Sequence, residues 1–450
     1  MRKNEFQGKR VTVLGLARSG VAAALSLQNS GARVFGSDAG TPAREKLAEL
    51  EAAAIPYEIG GHTGRMYEAD LFVVSPGVPL FAPAVRGAVE RGIEVIGEVE
   101  LAYRLTEADI VAVTGSNGKS TTTTLLGELF KRAPMKSRVG GNIGVALTSQ
   151  CDALKKGEVL VAEVSSFQLD AAVRFTPRVA IILNLTPDHM NHYRNIEDYY
   201  NSKLSIAKNQ GPTDRLVLNA DDPELNRRVD RINGAVCKVW FSTERCLEAG
   251  AFVEAGRIVY REAGMTTALL PASETGLLGR HNLSNILSAV AVAMFYAIPV
   301  SDIIEVVRTF KGIEHRLEWV ADKAGVRYYN DSKATNVDSL KVALESFDQP
   351  VHLIAGGQDK AGDFASLAGL VRKRVKTVYA IGEAGDKIER AWRDDANVVR
   401  LENLDQAVKI AAERAMSGEV VLLSPACASF DQYRNFEERG KHFKTLVETL

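Results

Sequence analysis

The stretch Ile110-Val111-Ala112-Val113-Thr114-Gly115-Ser116-Asn117-Gly118-Lys119-Ser120-Thr121 sets the reading of the whole chain. An apolar, β-branched run enters a glycine turn, and a Lys-Ser-Thr then opens a helical pattern over 122–130. Such a turn aims successive backbone N–H groups and the positive end of a helix dipole at phosphate oxygens. Lys119 is placed to neutralise β- and γ-phosphates, and the Ser120 hydroxyl to bind an accompanying Mg²⁺. Only two residues separate Gly115 from Gly118, where the usual phosphate loop has four.

Outward from that loop, strand-like runs alternate with amphipathic segments at 11–14, 33–36, 71–74, 159–164, 179–184, 216–218, 351–355, 377–381 and 420–423. This alternation predicts parallel sheets covered by helices on both faces. The region 241–271 is less regular and predicts a small antiparallel sheet at the edge of the middle domain. A chain of 450 residues suggests about three domains. Boundaries are expected near 106–109 and 310–312, giving segments 1–107, 108–311 and 312–450.

Charge is balanced, with 55 basic and 56 acidic residues and a net charge of −1. Nothing in that balance recommends nucleic acid or an anionic membrane as partner. Four scattered cysteines (Cys151, Cys237, Cys246, Cys427), without a Cys-x-x-Cys pair, suit a reducing cytosol rather than a disulfide framework or a zinc site. The N-terminus lacks the apolar core of a signal peptide, and the run 286–298 is too short to span a bilayer. A soluble cytoplasmic protein is expected.

Candidate site residues gather at strand ends, where parallel sheets place their ligands. In the first segment the turn Gly15-Leu16-Ala17-Arg18-Ser19-Gly20 falls short of the full dinucleotide fingerprint, and a nucleotide diphosphate fits it equally well. Asp38 ends the next strand as a ribose-binding acid or a solvated turn acid, and Ser75-Pro76-Gly77 ends the one after. In the middle segment Glu163 and His189 can converge on phosphates above Lys119, making with Ser120 an open Mg²⁺ site. Lys203 reads as an ordinary helix-face lysine, and Asn282 as a helix cap or a nucleotide contact. In the third segment His315-Arg316, Asn330-Asp331-Ser332-Lys333-Ala334-Thr335-Asn336, Gln358-Asp359-Lys360 and Ser424-Pro425-Ala426-Cys427-Ala428-Ser429 form an anion-binding rim. Cys427 has no histidine at a nucleophile's spacing and reads as a small buried residue.

With these motifs together, the chain resembles the Mur ligases, ATP-dependent amide-forming enzymes of peptidoglycan precursor synthesis. Thr114 to Thr121, Gly140-Gly141-Asn142-Ile143-Gly144, Asn184-Leu185-Thr186-Pro187-Asp188-His189, His315-Arg316 and Asn330 to Asn336 carry that resemblance over essentially the whole chain. The short phosphate loop is the family's own form. The segment Ser424 to Gln432 with Asn435-Phe436-Glu437-Glu438-Arg439-Gly440 is similar to members that add D-glutamate to UDP-N-acetylmuramoyl-L-alanine through an acyl phosphate.

The resemblance implies an N-terminal Rossmann-like UDP-binding domain, a central P-loop ATPase-type parallel sheet and a C-terminal Rossmann-like domain. It implies that UDP lies over Gly15, Leu16, Ala17, Arg18, Ser19, Asp38, Ser75, Pro76 and Gly77, with Asn142 near the muramoyl group. ATP is implied at Gly115, Ser116, Asn117, Gly118, Lys119, Ser120, Thr121, Asn282, Arg316 and Asp331. Ser120 and Glu163 are implied to hold one Mg²⁺, and His189 and Lys203 a second, Lys203 carrying a CO₂-derived carbamate. Lys119, His189 and Lys203 thereby become the catalytic set, and Lys333, Thr335, Lys360, Ser429 and Phe436 the D-glutamate pocket. A monomer acting on small molecules alone is expected. A sister ligase, another Mur enzyme or a folylpolyglutamate synthase, shares the activation step but takes a different amine. An NAD-dependent oxidoreductase leaves the phosphate loop and the third segment unexplained, and a nucleotide-hydrolysing regulator would not couple phosphate release to two substrates.

Overall fold

A computed structural model describes residues 5–142, 144–187, 193–232, 234–359 and 362–450. Three sheets follow one another along the chain. The first contains β1 (Arg10–Leu14), β2 (Arg33–Ser37), β3 (Tyr57–Glu58), β4 (Leu71–Val74) and β5 (Glu94–Gly97) in the order β3-β2-β1-β4-β5, all parallel. The second contains β6 (Asp109–Thr114), β7 (Ser137–Gly141), β8 (Val159–Glu163), β9 (Val179–Ile182), β10 (Arg215–Asn219), β11 (Cys237–Ser242), β12 (Gly250–Glu254), β13 (Arg257–Glu262) and β14 (Met265–Pro271). Their order is β14-β13-β12-β11-β10-β9-β6-β8-β7. The third contains β15 (Glu318–Lys323), β16 (Val326–Asn330), β17 (Val351–Gly356), β18 (Val375–Ile381), β19 (Asn397–Arg400) and β20 (Val420–Leu423), ordered β15-β16-β20-β17-β18-β19.

Central strands are buried along their whole length because helices cover both faces: β4 (LFVV), β8 (VLVAE), β9 (VAII) and β20 (VVLL) expose none of their residues. Asparagines start the helices after several loops. Asn195, Asn336, Asn403 and Asn435 each accept the amide three residues on, satisfying a donor the helix cannot. The apolar run at 286–298 lies within the helix Arg280–Phe295 and its following turn, with Ile286, Leu287, Val290 and Val292 buried. Among the described residues no helix is long and apolar enough to cross a membrane.

Three expectations need correction. The helix after the phosphate loop begins at Lys119 rather than at 122, because Gly118 already supplies the left-handed turn before it. Strand β9 stops at Ile182, since Asn184 leaves the ladder to bond the phosphate loop. The irregular region gives the expected antiparallel strands at the edge, but joined to the central sheet rather than as a sheet of their own: β12 pairs with β11 in parallel through Phe241 and Ser242, and β13 and β14 then add antiparallel.

The first two sheets belong to one compact unit, Met1–Glu274 with Ser284–Arg308, and the third to another, Thr275–Leu283 with Thr309–Leu450. Within the first unit, the helix Glu98–Leu105 fastens the two sheets together. Glu100, fully buried, accepts the successive amides of Val173, Arg174 and Phe175 at 2.9, 2.9 and 2.8 Å. Its other oxygen takes the Arg104 Nε at 2.7 Å, and Arg104 also reaches Glu5 and Glu94.

Candidate nucleotide and substrate sites

Strands β8, β6 and β9 lie side by side, with Val113 opposite Glu163 and Thr114 opposite Ile182. Their C-terminal ends therefore meet at the phosphate loop. The loop is latched from β9's end. The amides of Ser116 and Asn117 donate to the backbone and side-chain oxygens of Asn184 (3.1 and 2.8 Å), and Asn184 returns a bond to Asn117 O. Ser116 Oγ donates to Thr186 O at 2.7 Å and lies 3.1 Å from the Tyr199 hydroxyl. These two amides are thus committed to shaping the turn. The amides of 118–121 have no intrahelical partner by the rule of helix starts, and they make up the positive end of the helix dipole. A side chain at Gly118 is strained by the left-handed backbone (φ +86°), and its Cβ would stand 2.3 Å from Asn285 Oδ1, which would have to move aside.

Two lysines converge on this turn. Lys119 Nζ donates to Gly115 O (2.9 Å) and Ser116 O (2.8 Å), and Lys203 Nζ donates to the same Gly115 O at 2.9 Å. Lys203 is 1 % exposed and sits 4.6 Å above the Tyr199 ring. The helix-face lysine of the sequence reading is therefore an inward one. Two ammonium groups on one carbonyl is an arrangement that favours an anion nearby.

Glu163 is buried at the end of β8. Its Oε1 accepts Asn142 Nδ2 at 3.3 Å, and its backbone oxygen accepts the Asn142 amide at 3.0 Å. The approach is so close that a Cβ on Gly141 (φ +125°) would fall 2.2 Å from Glu163 O. Among the described residues no group of three or more His, Cys, Asp and Glu could hold a metal. One carboxylate and the Ser120 hydroxyl are nevertheless a fitting donor set for Mg²⁺, which keeps several waters and takes its other oxygens from phosphates. His189 lies outside the described residues.

The first sheet's glycine turn has its own clasp. Asp38 accepts the Leu16 amide at 2.6 Å with one oxygen and the Gly40 amide at 2.8 Å with the other. The carboxylate holds the turn in shape, a role neither the ribose-binding nor the solvated reading anticipated. Ser75 Oγ donates to Gly15 O at 2.7 Å, bringing Ser75-Pro76-Gly77 beside that turn. Between the first two sheets lies a cavity of about 330 Å³ lined by Ser75, Pro76, Gly77, Glu98, Phe167 and Tyr193 among others. The rings of Phe167 and Tyr193 stack at 5.7 Å. Ala17 and Arg18 are exposed beside it in sequence, at the start of the helix Arg18–Asn29.

In the second unit the ends of β16, β17 and β20 are stitched together. Gln358 and Ala428 exchange backbone hydrogen bonds, and Asp331 accepts Ser424 Oγ (2.8 Å) and the Leu317 amide (3.1 Å). Burial pushes the Asp331 carboxyl up to about 7, while Arg316 nearby favours the charged form. Arg316 also acts, after burial, on His281, whose imidazole is held down at about 4. Asn282 follows, its Nδ2 on Leu278 O at 2.7 Å. The structure thus groups Asn282, Arg316 and Asp331 within this unit.

His315 adopts a left-handed backbone (φ +66°) and is buried, with Nδ1 2.9 Å from Asn330 Nδ2. Lys333 Nζ stands 5.9 Å from the Phe436 ring, Thr335 is half-buried, and Ser429 is buried. Lys360 lies outside the described residues. Cys427 is buried, its thiol pushed up to about 12, as a small core residue should be. Beneath this rim is a group that the sequence analysis quotes within a motif but gives no role. Arg439, 1 % exposed, donates to Ser332 Oγ, Ser332 O, Cys427 O and Ala428 O at 2.9–3.3 Å. Burial lowers its guanidinium to about 10, still charged near neutrality.

Family models cover most of the chain. The Mur ligase MurD-like N-terminal domain matches residues 9–97, the Mur ligase middle domain residues 113–293, and the Mur ligase glutamate ligase domain residues 315–427. The UDP-N-acetylmuramoylalanine--D-glutamate ligase of Pelotomaculum thermopropionicum is 44 % identical over 99 % of each chain. That of Acidobacterium capsulatum is 44 % identical over 98 % of this chain and 97 % of its own. Among solved structures, a pseudomurein peptide ligase type C from Methanothermus fervidus superposes with a TM-score of 0.61 at 18 % identity, covering 98 % of this chain and all of its own.

Proposed function

The chain belongs to the Mur ligase family, and from that premise we propose that it joins D-glutamate to UDP-N-acetylmuramoyl-L-alanine at the expense of ATP. The observation that carries the chemistry is the convergence of Lys119, Lys203 and the end of β8 on one phosphate loop. The L-alanyl carboxylate attacks the γ-phosphorus of ATP, the bond to the β,γ-bridging oxygen breaks, and ADP leaves an acyl phosphate. Lys119, released from its loop carbonyls onto the phosphates, offsets the charge on the transferring group together with the helix start at 118–121. The amine of D-glutamate, having lost a proton, attacks the activated carbonyl carbon, and phosphate departs as the amide forms.

Ser120 and Glu163 are the residues that would hold one Mg²⁺, and His189 and Lys203 those that would hold a second. When bound, Mg²⁺ supplies charge neutralisation and orientation of the phosphate oxygens. For Lys203 we propose a carbamate. The neutral amine forms an N–C bond to CO₂ and releases a proton, so a cation becomes an oxygen ligand. Its crowding with Lys119 on Gly115 O supports this assignment. The segments 1–107, 108–311 and 312–450 take the UDP-sugar, ATP and D-glutamate roles in turn, the last through Lys333, Thr335, Lys360, Ser429 and Phe436. The enzyme works as a cytoplasmic monomer in this reading. Steady-state phosphate release with D-glutamate, L-glutamate, L-alanine and diaminopimelate tests it: turnover with D-glutamate is expected, and turnover with another amino acid but not D-glutamate overturns it.

A further inference from the structure

The exit of β9 carries a side chain to which the reaction above gives no task. Asn184 is half-buried, and its carboxamide pairs with the backbone of a single loop residue. Oδ1 accepts the Asn117 amide at 2.8 Å, and Nδ2 donates to Asn117 O at 3.1 Å. The backbone that bears Asn184 is held by other means. Leu183 N donates to Thr114 O and Leu183 O accepts Asn219 Nδ2, both at 3.0 Å. Leu185 N donates to Asp222 Oδ2 at 2.9 Å, and Thr186 N to Ser116 Oγ at 3.0 Å. The carboxamide is therefore not what keeps the strand exit in place.

Its bonds fix how each peptide of the loop faces, because the C=O and N–H of a trans peptide point in opposite directions. The peptides 115–116 and 116–117 aim their N–H groups at Asn184 and their oxygens away from it, onto Lys119 and Lys203. The peptide 117–118 is reversed. Its oxygen lies on Asn184 Nδ2, so the Gly118 N–H points away from Asn184, as Gly115 O and Ser116 O do. The reversal falls where the backbone rotates most freely, at a glycine with φ +86°. Turning that one peptide over would set Asn117 O where the N–H had been, an acceptor in place of a donor at the helix start. A loop with two residues between its glycines has few amides to offer, and those of Ser116 and Asn117 are taken by Asn184.

We propose that Asn184 is a positioning residue for the triphosphate. By holding Asn117 O it turns the Gly118 N–H toward a phosphate oxygen and keeps a carbonyl from taking that place. The proposal rests on the functional reading given above, through its use of ATP.

Asn184→Ala and Asn184→Asp test it. The first removes both carboxamide bonds, and the second keeps an acceptor for the Asn117 amide but no donor to Asn117 O. Calorimetric titration of the whole enzyme with ADP and Mg²⁺ should show both variants about 10- to 100-fold weaker than wild type, the worth of one charge-assisted hydrogen bond. KM for ATP should rise, while KM for the UDP-sugar peptide and the unfolding midpoint should hold. The Gly118 amide resonance gives a direct readout. Carbonyl-¹³C asparagine with ¹⁵N glycine isolates it, since the chain has only two Asn-Gly pairs, at 117–118 and 233–234. Saturating ADP should move that resonance downfield in wild type and leave it in place in Asn184→Ala. Wild-type affinity for ADP in Asn184→Asp overturns the proposal, because the acceptor alone would then suffice. A wild-type Gly118 resonance that bound ADP leaves unmoved also overturns it. So does a lowered unfolding midpoint in Asn184→Ala with a Gly118 resonance that still responds, since Asn184 would then serve only the fold. A wild-type enzyme that binds no ADP removes the functional reading itself. One that ligates D-glutamate while Asn184→Ala matches its KM for ATP removes only the role of Asn184.

Discussion

Replacing Gly141 with alanine should damage the site through a single backbone collision. The new Cβ would stand 2.2 Å from Glu163 O and 3.0 Å from Glu163 N, whereas ordinary contact begins near 3.4 Å. The two strand ends must part by about 1 Å, the size of displacement that costs an active site roughly 10²-fold in rate. Separation breaks the Asn142 amide bond to Glu163 O and strains the Asn142 side-chain bond to Glu163 Oε1. With a backbone angle of φ +125° that alanine resists, the strain and lost bonds together cost about 3–5 kcal/mol. Gly157→Ala is the control, because its φ is +86° and nothing lies within 4 Å of its Cβ. It carries the left-handed penalty alone, about 1 kcal/mol, and leaves turnover intact. Denaturant unfolding and phosphate release, measured on both variants, decide the matter. If Gly141→Ala unfolds at the same midpoint as Gly157→Ala and keeps wild-type turnover, the close approach of Gly141 to Glu163 does not govern the site.

Lys203→Ala should nearly abolish phosphate release, with part of the activity restored by a short carboxylic acid that stands in for the carbamate. Full activity without additive would remove the carbamate from the mechanism. Arg439→Lys puts one nitrogen where three now donate, so that Ser332 Oγ, Ser332 O, Cys427 O and Ala428 O cannot all keep a donor, a loss of about 1–3 kcal/mol to the second unit, with a higher KM for D-glutamate. An unchanged unfolding midpoint would refute that. Burial holds the Asp331 carboxyl at about 7, above its unfolded value near ~3.9, so the folded chain binds the extra proton between them. The stability this group contributes is therefore full below pH ~4 and lost as pH rises through about 7. Asp331→Asn should flatten that slope in unfolding measurements between pH 4 and 8, and an identical slope in the variant would contradict the assignment.

The alternation of strands and helices was legible because strands buried on both faces, such as β4 and β20, are uninterrupted apolar runs. Short edge strands escaped notice for the opposite reason. Strand β7 (SRVGG) is rich in glycine and charge, β3 has two residues, and β19 (NVVR) is half-exposed. The phosphate loop and Glu163 declared themselves through position after a strand. Lys203 did not, although Tyr199 and Tyr200 one helical turn before it mark a buried face. Glu98 and Glu100 read in sequence as acidic residues in a helix's first turn, the ordinary complement to its dipole. Only the packing of that helix against 147 and 173–175 turns them inward. Arg439 was hidden likewise, in a helix start whose neighbours Glu437 and Glu438 are exposed. Asp38 kept its expected place and took on a different task, since both its oxygens are occupied by backbone amides.

The clasp of Glu100 on three consecutive amides has a bearing on inhibitor design. A cleft fastened by the same cooperative bonds that stabilise the unit exists before any ligand arrives, so a rigid molecule shaped to it forfeits little entropy in ordering the walls. The amides of 173–175 should accordingly exchange hydrogen for deuterium only on global opening of the unit, with rates that a bound ligand slows but does not reorder.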